Sequence, residues 1–322
     1  MLLQGLAISL LVVRPRVSRP RCSADDSDGG LHSLLLQRAI QTCCINARTV
    51  RDPPTAQWLA RFTGIDEQFH GLAQLRRPWR TMLSELLAAP TECIQVESVL
   101  KKHRSLSASN PYLQPKAMTY EYELRPSELF ERVVLATELI AREWREDLSL
   151  MEAENANVWL QRSAFVMQDD RELKETHPHF EVDQDSNTGS AYRAGNYELL
   201  QCIATRQAAQ NAVCELRTQA TRGGEARLLA EHLDSAADFQ VGCELPHNAA
   251  DVWLSVLLDR PMLMNRGATD GAAPSFVDPR AIADLVLNYR ATVAAEWIEL
   301  LAEVPEQILV LRREHLTRQS GL

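Results

Sequence analysis

Glu67 and His70 stand at the E-x-x-H spacing that places a carboxylate and an imidazole on one helix face. Di-iron bundles use two such motifs, one from each of two helices. In the second half of the chain the positions corresponding to Glu67 and His70 are Ala237 and Gln240, so no second pair is offered. His70, followed by Gly71, better suits a helix C-terminus, where an imidazolium favours the dipole. His177 and His179 flank Pro178 among Asp169, Asp170, Glu175, Glu181 and Asp183. Imidazole and carboxylate bind divalent metals when rigidly held. Here the composition is that of a solvated acidic linker, closed by Asn187-Thr188-Gly189-Ser190. No metal and no cofactor is expected.

Glu143-Trp144 and Glu296-Trp297 are a recurring pair. Two facing glutamates could exchange protons. The simpler expectation is a tryptophan packing anchor with its glutamate on the polar side. Lys101, Lys102, His103 and Arg104, with Tyr112 and Lys116 nearby, make the one basic cluster beyond the N-terminus. We take Lys101, Lys102, Arg104, Tyr112 and Lys116 as the candidate partner-binding residues, suited to an acidic protein surface. The seven cysteines are odd in number and show no C-x-x-C spacing, which points to buried thiols in a reducing compartment. Cys43 and Cys44 lack a cationic neighbour that would mark a thiolate nucleophile. G-x-G-x-x-G, Walker, G-x-S-x-G, H-E-x-x-H and EF-hand signatures are absent.

The elements that must position these residues are mostly helices. Leu31, Leu34, Leu35, Ala39 and Ile45 recur at helical spacing over Leu31 to Val50, and Asp52-Pro53-Pro54 ends that run. A second helix carries Trp58, Leu59 and Phe62, and a third runs from Trp79 to Ala88. The period then changes. Ile94, Val96 and Ser98, and later Met118, Tyr120, Tyr122 and Leu124, alternate with polar residues as β-strands do. Pro126 opens a long helix with a stripe of Leu129, Val133, Ala136, Ile140, Trp144, Leu148 and Met151. The second half predicts helices over Tyr197 to Ala220, Glu225 to Phe239 and Ala249 to Leu258. Asp278-Pro279 then starts a long last helix bearing Val286, Val293, Trp297 and Leu301.

Laid side by side, the halves match. Leu35-Leu36-Gln37 recurs as Leu199-Leu200-Gln201, and Leu83-Ser84 as Leu254-Ser255. Pro126, Val133, Ala141, Glu143, Trp144, Glu146 and Leu148 recur at one constant interval as Pro279, Val286, Ala294, Glu296, Trp297, Glu299 and Leu301. Generic amphipathic helices explain shared Leu and Ala. They do not explain a proline start and a tryptophan at the same separation in both. The expected fold is mainly α with a minor α+β component. It comprises two diverged copies of one unit: three helices, a β-hairpin or extended loop, and one long helix. The hairpin should be mostly lost from the second copy.

Residues 1–30 read as a targeting segment or disordered tail, 31–155 as the first unit with its strand-loop-strand at 93–124, 156–192 as an acidic linker, and 193–318 as the second unit. Met1 to Val13 is apolar, too short for a spanning helix, and Arg14, Arg16, Arg19 and Arg21 follow before any acid. That suggests an organellar transit peptide, plastid or mitochondrial, with the cytoplasm as the alternative. Hydrophobic residues make up 45% and charged residues 24%, so a core can form without staples. A net charge of −9 disfavours phosphate backbones. The expected function is a non-catalytic interaction or assembly protein with a protein partner. An enzyme with its site between the copies is the alternative, and an RNA-binding helical repeat ranks below both.

Overall fold

In the computed structural model, residues 27–66, 69, 75, 77–99, 117–155, 190–236, 249–265 and 275–320 are described. The chain is mainly helical with two small antiparallel sheets. The first half contains α1 (Ser27–Thr49), α2 (Pro53–Thr63), α3 (Trp79–Ala88), β1 (Glu92–Val99), β2 (Ala117–Leu124) and α4 (Pro126–Glu154). The second contains α5 (Arg193–Thr218), a 3-10 turn (Ala220–Arg222), α6 (Gly223–Ser235), α7 (Ala249–Leu258), β3 (Leu263–Asn265), β4 (Ser275–Val277), α8 (Pro279–Ala302) and α9 (Val304–Ser320).

Local chemistry accounts for the breaks. Asp52 caps α2 by accepting the Thr55 N–H, with Pro53 just inside the helix. Gly64 ends α2 with φ of 72°, a left-handed conformation that glycine adopts without steric cost, and its N–H donates to the Ala60 carbonyl. Asp278 caps α8 by accepting the Arg280 N–H at 2.9 Å. At the root of the first hairpin, Tyr122 donates its OH to Asp52 Oδ2 at 2.9 Å and Trp58 Nε1 donates to Glu92 at 3.0 Å. Ile94 faces Tyr122 across the ladder, and both lean on the core.

The two long helices, α4 and α8, pack along each other at the centre. Helix α1 lies on α4 and α5 lies on α8, with α2 on α1 and α6 on α5. Of the predicted stripes, Leu129, Val133, Ile140, Trp144, Leu148 and Met151 on α4 and Val286, Val293, Trp297 and Leu301 on α8 are buried, while Ala136 is half-buried; Ile282 on α8 is buried as well. No described helix is long and apolar enough to cross a membrane.

The second hairpin keeps only three-residue strands, Leu263–Asn265 paired to Ser275–Val277, against eight residues in each strand of the first. Other sequence expectations need correction. The end of the chain forms a separate helix, α9, beyond Ala302. Cys214 is disulfide-bonded, whereas Cys43, Cys44, Cys93 and Cys202 are free thiols. Spacing along the chain is blind to a bond between distant cysteines. Of the expected linker, residues 190–192 are described, with Ser190 and Tyr192 buried and Ala191 half-buried.

Candidate functional site

The only cluster of candidate partner-binding residues, Lys101, Lys102, Arg104, Tyr112 and Lys116, lies outside the described residues, as do Glu67, His70, His177 and His179. Among the described residues, no three His, Cys, Asp or Glu side chains are grouped to hold a metal ion. The recurring Glu-Trp pairs divide. Trp144 and Trp297 are both buried, but Glu143 is buried and Glu296 is exposed, so the two carboxylates do not form a facing pair. Glu143 is also not on a polar face. Its carboxylate accepts the Ser190 N–H at 2.7 Å and the Ser190 hydroxyl at 2.6 Å, and Asn196 donates to that hydroxyl oxygen.

Further polar side chains converge where α4 meets α5 and α8. One turn beyond Glu143, Asp147 is buried and accepts from the Arg193 guanidinium. Burial pushes the Asp147 carboxyl above its ordinary pKa, with Arg193 pulling the other way. At the end of α4, Glu154 accepts from Tyr197 OH and from Gln201 Nε2, both at 2.8 Å. Burial, then the nearby Glu154 carboxylate, pushes the Tyr197 phenol up. Arg290 of α8 is fully buried. It donates through Nε to Asn155 Oδ1 at 2.7 Å and through Nη1 to Thr205 Oγ1 at 3.3 Å, and Nη2 lies 4.0 Å from Glu154. Burial depresses its pKa, opposed by Asp251 and Glu154.

These contacts join the long helix of one half to the helices of the other. Chemically they are mutual: the carboxylates are occupied by donors of the same seam. The nearby Cys202 thiol is pushed up to about 12 by burial, so at neutral pH it is protonated and a poor nucleophile.

A cavity of about 380 Å³ opens between α1, α2 and α4. Its walls include Ala47, Leu59, Leu129 and Ala136, and its rim includes Val50, Leu135 and Leu139, which are exposed. Arg132, Thr42, Asn46, Thr55 and Ser190, the last from the segment just before α5, supply polarity. Cys43 also lines it, its thiol pushed up to about 12 by burial despite the Arg132 charge. Sequence reasoning missed this site. The available signal was Leu135 and Leu139, apolar residues four apart and off the main stripe of α4.

Comparison adds no relative: no protein-family model, curated protein or solved structure matches the chain.

Proposed function

We propose that this is a non-catalytic interaction or assembly protein of an organelle, acting through a protein partner. The observation that carries the reading is the outward face of the second hairpin. Met262, Met264 and Phe276 are 66%, 59% and 64% exposed, with Met264 directly opposite Phe276. Three-residue strands gain little stability alone, and Met264 and Phe276 share one face of this pair while Leu263 lies opposite buried Val277 on the other. Contiguous apolar surface of this kind marks contact sites, and methionine adapts to a partner's shape. The basic residues Lys101, Lys102, Arg104 and Lys116, with Tyr112, would supply a second, electrostatic contact to an acidic partner. The test is co-purification from the native compartment with Met264→Glu/Phe276→Glu. Loss of the wild-type partners at an unchanged melting temperature supports the proposal, and undiminished recovery rejects it.

The scaffold itself we propose to be an internal duplication. Support comes from the shared order of three helices, two strands and one long helix, and from the proline that opens α4 and α8 alike. Burial of Trp144 and Trp297 at corresponding places adds to it. Superposing the halves tests it, since a different helix direction in either would reject it.

A second reading, an enzyme with its site between the halves, is favoured by one observation: buried Arg290 meets Glu154, Asn155 and Thr205 at the seam. It ranks second because the seam carboxylates are already occupied by protein donors.

A further inference from the structure

The cavity between α1, α2 and α4 is lined by Thr42 and Arg132, for whose side chains the described residues supply no hydrogen-bond or ion-pair partner. Thr42 is 4% exposed, lines the cavity, and its Oγ1 has no hydrogen-bond partner. That is unusual within this chain. Thr49, Thr63 and Thr137, also helical, each donate their hydroxyl to the carbonyl four residues earlier. A buried hydroxyl left unmade costs stability, and folding offers it a local acceptor that it does not take. Arg132 is the second group. It lines the same cavity, it is exposed, and no carboxylate among the described residues pairs with it. Its charge is felt at Cys43, the residue next to Thr42, so cation and hydroxyl belong to the same part of the cavity.

The rest of the wall is mostly apolar, with Asn46, Thr55 and Ser190 its other polar side chains, and the volume sits at the small end of the range for ligand sites, about 300–1,000 Å³. The second half carries different residues at the corresponding positions of its long helix. Where α4 carries Arg132 and Ala136, the matching positions of α8 carry Leu285 and Tyr289. Tyr289 is buried and its OH donates to Glu215. In the sequence match, an aromatic ring of the second half thus takes the position of Ala136 and a leucine that of Arg132.

We infer that this cavity binds a small amphiphile, an alkyl chain ending in a carboxylate. The chain lies against Leu59, Leu129 and Ala136. The carboxylate takes a charge-assisted bond from Arg132 and the hydroxyl proton of Thr42. On a chain with net charge of −9, an arginine without a carboxylate partner among the described residues, over a mostly apolar hole, is a local exception that selects the anionic head. The inference stands independently of the hairpin contact surface.

Calorimetric titration of the full chain with decanoate, and with decanol as the neutral comparison, tests it. The expected result is saturable one-site uptake of decanoate, preferred over decanol about tenfold or more. Arg132→Gln, a change at an exposed side chain, should erase that preference while decanol binding persists. Thr42→Val should weaken decanoate several-fold without lowering the melting temperature. Ala136→Tyr, which copies Tyr289 of the second half, should abolish both. No saturable decanoate uptake by the wild type overturns the inference, as does an Arg132→Gln protein that keeps the wild-type preference. Uptake of an amphipathic helical peptide in place of decanoate overturns it too, in favour of a protein occupant.

Discussion

Trp144 offers a sharp test of the core. Its side chain is fully buried in α4, at the packed centre between α1 and α8, and its indole Nε1 has no hydrogen-bond partner. Two substitutions separate these features. Trp144→Ala removes the whole ring from a close-packed site and should cost about 3–5 kcal/mol. For a chain of this size that lowers the melting temperature by about 6–20 °C. Trp144→Phe removes part of the ring but also removes the orphaned donor. The lost apolar contact and cavity are offset by relief of an unmade buried hydrogen bond, about 1–3 kcal/mol. The phenylalanine variant should therefore lie within about 1 kcal/mol of wild type. Urea unfolding followed by circular dichroism measures both. If phenylalanine costs as much as alanine, the indole N–H is satisfied and the account of this site is wrong. If alanine costs nothing, α4 is not the centre of the core.

Other consequences can be checked in parallel. Burial raises the Asp147 carboxyl, so the folded state holds that proton more tightly than the unfolded chain does. Its contribution is therefore favourable below the ordinary carboxylate pKa and is lost as pH rises through the raised folded value. Asp147→Asn should accordingly gain stability relative to wild type between about pH 3.5 and neutrality in urea titrations; a difference that does not change with pH would contradict the shift. Changing Lys101, Lys102 and Arg104 together to Glu should abolish recovery of an acidic partner without moving the melting temperature. In the wild type that binding should weaken as salt rises. Iodoacetamide at pH 8 should label the exposed Cys93 while sparing Cys43 and Cys202, whose thiols burial pushes up to about 12; mass spectrometry of the peptides reads the outcome. Reduction under denaturing conditions should release two further titratable thiols from the Cys214 disulfide, and an unchanged thiol count would refute that bond.

Features set by neighbouring residues were legible in the sequence. Asp52-Pro53 and Asp278-Pro279 start helices because a short acceptor and a fixed φ act on the next few residues. The alternation around Ile94 and Tyr122 predicts strands because successive side chains must take opposite faces. The stripe ending at Met151 predicts which side of α4 is buried, Trp144 included. What periodicity cannot say is what lies against the other sides of a helix. Helix α4 is enclosed by α1, α3, α5 and α8, so burial reaches beyond its apolar stripe to Glu143 and Asp147. Glu143 is expected on the polar side from sequence, but Ser190, far along the chain, bonds it, as Arg193 bonds Asp147. The same holds for Arg290, which has a surface residue's chemistry and a core residue's position. The cavity by Thr42 and Arg132 exists only because three helices meet with a small Ala136 between them. Burial, pairing and empty volume are properties of surfaces brought together from distant parts of the chain, and the tertiary structure alone decides them.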